Sequence, residues 1–149
     1  MNWNKIGYLA NKFAGMDAAM VAGRYTHMGF WHEHECIDVN DPLEGMAINY
    51  LVCPINLSAP LMVQQIVKLC REYEIDGVVL HAARTCRAFS NPQFIIADAV
   101  QKQLGLPVAM IEGDMVDESF YKDELIDSRV EAMLEASETR LRRGITAYA

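Results

Sequence analysis

The sequence predicts an α/β fold: a short parallel sheet with helices on both faces. Three observations predict it. Apolar runs without helical period alternate with segments whose apolar residues recur at helical spacing. Capping and stop residues stand at the joins between them. The 149 residues, 52% hydrophobic and 22% charged, suffice for one globular domain with a sizeable core.

Residues 3–13 read as a helix that ends near Gly15, with Trp3, Tyr8 and Phe13 as its packing aromatics. Residues 18–25 are a short, mainly apolar run and are expected to form a strand. Residues 26–41 read as irregular and rich in His, Glu and Asp. Pro42 opens a helix to Tyr50 or Leu51 with Asp41 as its cap, and Cys53-Pro54 breaks it. Ser58 caps the next helix, Pro60 lies near its start, and Leu61, Met62, Ile66, Leu69, Cys70 and Tyr73 keep returning to one side. Ile75-Asp76-Gly77 turns the chain into a β-branched strand at 78–81. A loop through Cys86 leads to a helix that opens at Ser90 or Asn91, spans 92–104 and stops at Gly105, with Pro107 just beyond. Phe94, Ile95, Ala97, Asp98, Val100, Gln101 and Leu104 fall on it at helical spacing. Residues 108–112 form a strand. A helix from about 118 to 142 follows, acidic at its start and basic at its end, as its dipole prefers.

Strands that alternate with helices imply right-handed crossovers and a three-layer, flavodoxin- or Rossmann-like arrangement. Ligands of such sheets bind beyond the carboxyl ends of the strands. The loops expected there carry the His27–Cys36 segment, Arg84 with Cys86, and Asp114 with Asp117. Together they form the default site.

The net charge is −7, and Arg140, Arg142 and Arg143 form the one basic group, which argues against a nucleic-acid surface. The apolar runs fall short of a membrane span, and the first 25 residues lack a signal-peptide layout, so a cytoplasmic protein is expected. Its four cysteines, Cys36, Cys53, Cys70 and Cys86, are then reduced thiols. No CxxC pair occurs, so no familiar zinc or ferredoxin-type spacing is present. GxGxxG, GxxxxGK[ST] and GxSxG are absent, which removes support for the usual dinucleotide, P-loop and hydrolase readings.

The strongest constellation is Cys86 with Arg84, Arg87 and His81. A thiol near two permanent cations and a helix N-terminus favours its thiolate. Such a thiolate can be a metal ligand, a nucleophile or a redox sensor; a buried, inert cysteine is the plain alternative. Arg87 has the plain reading of a solvated salt-bridge partner. Glu112 and Asp114 can orient a ligand hydroxyl, bind Arg84 or move a proton, while Asp114 and Asp117 can equally cap the next helix. His27, His32, Glu33, His34, Glu35 and Cys36 fit no common metal spacing and read better as a polar rim loop, with Trp31 as its anchor. Cys70 and Cys53 read as core, and the nine methionines as gap-fillers.

Several motifs then combine. They are Asp76-Gly77-Val78-Val79-Leu80-His81; Arg84-Thr85-Cys86-Arg87 with Ser90 and Gln93; Leu106-Pro107-Val108; Ile111-Glu112-Gly113-Asp114-Met115-Val116-Asp117; and Ser128-Arg129-Val130-Glu131-Ala132-Met133-Leu134-Glu135. Their combination resembles the benzoyl-CoA reductase and 2-hydroxyacyl-CoA dehydratase family, in the carboxyl-terminal domain of its cluster-bearing subunits. The likeness is firmest from Asp76 to Glu135.

The resemblance implies that Cys86 is one thiolate ligand of a [4Fe–4S] cluster. It implies catalytic or supporting roles for His81, Arg84, Glu112 and Asp114, and cofactor contacts from Arg84, Arg87 and Ser90. The implied substrate is an acyl-CoA thioester, dehydrated or, on the side to which the phrasing leans, reduced in its aromatic ring. The implied electron source is an ATP-dependent activator protein. Family subunits are longer, and their remaining cluster cysteines lie in a preceding domain that Cys36, Cys53 and Cys70 do not match. Residues 1–149 are therefore expected to be a single domain that needs a missing amino-terminal domain or a paired cluster-bearing subunit. The rival readings are a non-catalytic flavodoxin-like module that binds acyl-CoA or a partner protein, and an electron-relay scaffold.

Overall fold

The computed structural model describes residues 6–23, 38–51, 53, 56–114 and 116–145. In order these form α1 (Ile6–Gly15), α2 (Pro42–Leu51), α3 (Ala59–Glu72), β1 (Val78–Ala83), a short α4 (Arg87–Ser90), α5 (Gln93–Leu104), β2 (Val108–Gly113), a 3-10 turn (Glu118–Phe120) and α6 (Asp123–Arg142).

Local chemistry accounts for several of the boundaries. Asp41 Oδ1 accepts the Glu44 N–H at 3.1 Å and caps α2. Ser58 stands at the cap position of α3 with extended backbone and Pro60 in the first turn, although its hydroxyl makes no capping bond. Gly105 ends α5 in the left-handed conformation (φ 61°), and its N–H reaches Gln101 O at 2.9 Å.

β1 and β2 pair in parallel, in register from Val78↔Val108 to Ala83↔Gly113. Alternation along each strand gives the sheet two apolar faces. On one, Leu80 packs with Met62 and Ile66 of α3 and with Ile96, Val100 and Leu104 of α5, and Val78, Val108 and Met110 border the cluster. On the other, Ile111 packs with Phe13 of α1, Tyr121, and Ile126 and Val130 of α6, with Val79 beside them. Helices therefore cover both faces of a parallel sheet, as the sequence predicts. Val100 and Val130 are fully buried, and each such side chain contributes about 1.5–3 kcal/mol. Cys53 and Cys70 are buried, as expected of core cysteines.

The structure departs from expectation at several points. Residues 18–23 form no strand. Met20 and Val21 are more than half exposed, so no core face drives pairing, and Ala and Gly have weak strand preference. The sheet therefore has two strands among the described residues. The predicted helix over 118–142 is divided. Its start is the 3-10 turn, and extended backbone at Tyr121 and Lys122 lets the Tyr121 ring enter the second core before α6 begins. A four-residue helix, α4, fills part of the predicted Cys86 loop. Leu61 lies exposed, outside the apolar side of α3 assigned to it. The strand 78–81 continues to Ala83, and the strand 108–112 to Gly113.

No helix among the described residues is long and apolar enough to cross a membrane. The His27–Cys36 segment, Trp3 and Trp31 lie outside the described residues.

Candidate functional site

The carboxyl ends of β1 and β2 carry most of the residues that the sequence singles out. Beyond Ala83 the ladder continues by one bond, Arg84 N–H to Gly113 O at 3.0 Å. The chain then turns, with Cys86 N–H donating to Ala83 O at 3.0 Å. The Cys86 carbonyl accepts from Phe89 N (3.3 Å) and Ser90 N (3.0 Å), which makes Cys86 the cap residue of α4. Its thiol is half-buried. The longer helix α5 begins only at Gln93, so the dipole nearest the thiol is that of the four-residue α4, weaker than the one the sequence suggests.

Side chains bind this turn to the strand beneath it. The Ser90 hydroxyl donates to Ala83 O, and the buried Gln93 amide donates to His81 O. Ser90 therefore acts on the backbone of the Cys86 turn. Arg87 stands exposed in the first turn of α4.

A second set of bonds joins the loop after β1 to the loop after β2. Asp114, only 3% exposed, receives Thr85 Oγ1 (2.6 Å) and Thr85 N (3.3 Å) on Oδ2, and Val116 N (3.1 Å) and Asp117 N (3.2 Å) on Oδ1. The Thr85 hydroxyl bond, with the Val116 and Asp117 amides, pulls the Asp114 carboxyl down to about 2. A carboxylate so held stays ionised near neutral pH and suits a fixed anion better than a proton donor. Asp117 in turn accepts Ser119 N at 2.9 Å and caps the 3-10 turn.

Arg84 crosses the same gap. Its guanidinium is 3.6 Å from Glu112 Oε2 and lies 4.9 Å from the centre of the Phe120 ring. Both charged side chains are more than half exposed, so the ion pair itself is worth at most about 1 kcal/mol. Its geometric effect is to keep a cation on the rim, held by an acid and an aromatic face.

His81 points to the α1–α6 face of the sheet, half-buried, its ring 6.4 Å from that of Tyr121. Burial pushes its imidazole down to about 4, so it is neutral near neutral pH. Gly113 leaves room for this pair: a Cβ there would meet Tyr121 Cδ2 at 2.7 Å and His81 Nε2 at 2.9 Å. From α6, Arg129 Nη1 donates to Met110 O at 2.6 Å.

The structure thus brings Cys86, Arg84, Ser90, Glu112 and Asp114 to one rim and places His81 one layer beneath it. Thr85, Phe120 and Tyr121 had no assigned role in the sequence. The parallel register was the missing signal: once Ala83 pairs with Gly113, Thr85 and Asp114 must fall in adjacent loops.

The donor set bears on the [4Fe–4S] expectation. A cluster needs about four ligand positions. No group of three or more His, Cys, Asp or Glu side chains able to hold a metal occurs among the described residues. These residues therefore do not fit a whole cluster; they present one half-buried thiol.

Known proteins are similar to this chain over most of its length. A family model described as 2-hydroxyglutaryl-CoA dehydratase, D-component, matches residues 2–136. A benzoyl-CoA reductase subunit of Thauera aromatica is 30% identical over 132 residues, which cover 88% of this chain and 31% of that protein. The (R)-2-hydroxyisocaproyl-CoA dehydratase alpha subunit of Clostridioides difficile is 29% identical over 144 residues, 95% of this chain and 34% of the relative. The alpha subunit of lactoyl-CoA dehydratase from Anaerotignum propionicum is 26% identical over 140 residues, 93% and 32%. The chain spans about a third of the length of these relatives.

Proposed function

Because the chain belongs to the 2-hydroxyglutaryl-CoA dehydratase D-component family, we propose that it works as one part of an assembly acting on acyl-CoA thioesters, by dehydration of a 2-hydroxyacyl group or by reduction of an aromatic one. Cys86 is the residue through which it takes part. The supporting observation is the cross-tied pair of loops at the carboxyl ends of β1 and β2, which holds a half-buried thiol two residues along the chain from Arg84.

In this reading Cys86 supplies one thiolate ligand to a [4Fe–4S] cluster, and the other ligands come from outside the described residues. Arg84 supplies positive charge near that anionic group. Glu112 fixes Arg84, and Ser90 and Gln93 fix the backbone on either side of the thiol. The partners are a cluster-bearing subunit or domain, an acyl-CoA, and an ATP-dependent activator that delivers the electron.

The test is an anaerobic affinity purification of the tagged chain from its source cells, native and as Cys86→Ala, with bound iron, sulfide and acyl-CoA turnover measured. The native chain is expected to bring down a partner, iron and activity. The variant is expected to keep the partner and lose the iron and the activity. A Cys86→Ala assembly with full iron content would overturn the cluster assignment. An assembly that binds acyl-CoA with unchanged affinity but never turns it over would favour the binding-module reading.

A further inference from the structure

We propose that Thr85 and Asp114 are positioning residues: their bond is a latch between the two rim loops that sets how the Cys86 thiol is presented. A carboxylate that the family reading assigns to chemistry thereby gains a structural place. The latch matters to function only if Cys86 is the working thiol, as proposed above, but the latch itself can be tested without iron.

Where a parallel ladder stops, the chains diverge and their loops lose the bonds that held them at fixed spacing. Here the last ladder bond is Arg84 N–H to Gly113 O. The next residue on each strand continues the tie by side chain, because Thr85 Oγ1 lies 2.6 Å from Asp114 Oδ2. The same carboxylate oxygen takes the Thr85 backbone N–H, so the residue next to Cys86 is held at two points. The other oxygen takes the amides of Val116 and Asp117, so the second loop is shaped by the same group. Asp114 is 3% exposed, and without the Thr85 hydroxyl its buried carboxylate keeps only three backbone N–H donors, so its charge is less well compensated and the bond is costly to break. By contrast, the Arg84–Glu112 pair that spans the same gap is exposed on both sides and weak. Compared with the exposed Arg84 side chain, which spans the gap to Glu112 and the Phe120 ring, the Thr85–Asp114 bond on a buried carboxylate therefore carries the constraint.

Releasing the latch should loosen the two loops together and leave the helices and the sheet intact, which general support of the fold would not do. The experiment uses the full chain, reduced and metal-free, treated with iodoacetamide, with alkylation of each cysteine followed by peptide mass mapping. Thr85→Val keeps the size of the side chain and removes the donor; Thr85→Ser keeps the donor.

Thr85→Val is expected to alkylate Cys86 at least about fivefold faster than the native chain, in line with loss of a charge-assisted bond in a locally opening loop. Cys53 and Cys70 should stay slow. Amide exchange should rise over residues 114–120 although the substitution lies in the other loop. Thr85→Ser should react within about twofold of native, and Asp114→Asn should behave as Thr85→Val. Native-like Cys86 reactivity in Thr85→Val would overturn the proposal. So would an equal acceleration at Cys53 and Cys70, which would mark opening of the whole fold. If the latch behaves as expected while Cys86→Ala assemblies keep their iron, the cluster reading fails and the latch stands.

Discussion

Burial against the Tyr121 side of the sheet holds the His81 imidazole near 4, against an ordinary value of 6.5. The unfolded chain therefore takes up this proton at a higher pH than the folded one. Between about pH 6.5 and 4 the unfolded state binds more protons, so stability falls as pH drops through that window and the effect levels off below it. Asp114 acts in the same direction at lower pH. Its folded value of about 2 lies below the ordinary 3.8, and the stability it contributes is lost only as pH falls from about 3.8 towards 2. The two windows hardly overlap. His81→Gln should therefore flatten the dependence of the urea midpoint on pH between 7 and 4.5, with little effect on whatever slope remains below 4. Parallel midpoint curves for the native chain and the variant would refute the buried-imidazole account. For the rim, the same comparison separates two carboxylates that the sequence treats alike. Glu112 is an exposed partner of Arg84, whereas Asp114 is a buried acceptor of backbone and hydroxyl donors.

The elements are legible wherever a local device fixes them. Asp41 before Pro42, Pro60 in the first turn of α3, and Gly105 after α5 act within a few residues, and the helices they bound lie where the sequence puts them. The β-branched run Val78–Leu80 marks β1, and the apolar run from Val108 marks β2, for the same reason. The features that stay hidden depend on distant atoms. The break before α6 exists because Tyr121 is drawn into the core formed by Ile111, Ile126 and Val130, and no property of residues 118–122 alone announces that. Helix α4 is too short for a period to register. The Thr85–Asp114 bond needs the strand register, which a single sequence does not reveal. The candidate site is thus legible as a set of residues on one rim, but not as a set of bonds. The two faces of the sheet should also be equally indispensable. Ile96 and Ile126 are each 2% exposed and belong to different clusters on opposite faces. Ile96→Ala and Ile126→Ala should each cost about 2–5 kcal/mol in urea unfolding, because both leave cavities that rigid neighbours cannot fill. If one substitution were nearly neutral, the face it sits on would not be a structural core.

On the scale of the molecule, the distribution of apolar surface distinguishes α2 from the other helices. α3, α5 and α6 bury one side against the sheet or against each other, whereas Leu43, Met46, Tyr50 and Leu51 of α2 are exposed by 58–79%. Their spacing in the helix places Leu43, Met46, Tyr50 and Leu51 along one side. An uncovered apolar stripe on a chain that spans about a third of its relatives' length has a measurable cost in water, because apolar surface of that kind drives association. The net charge of −7 opposes this only in part, since salt at physiological strength screens it over about 8 Å. The isolated chain is therefore expected to self-associate at micromolar concentration, and added salt should strengthen the association. Leu43→Glu combined with Tyr50→Lys should shift the sedimentation profile towards monomer. Its melting temperature should stay within about 2 °C of native, because exposed positions away from the cores contribute little to stability. A variant that still associates as the native chain does would place the sticky surface elsewhere, with the exposed Phe94 and Val116 next in order. A variant that loses several degrees would mean that α2 is held against the fold by the very side that carries Leu43 and Tyr50.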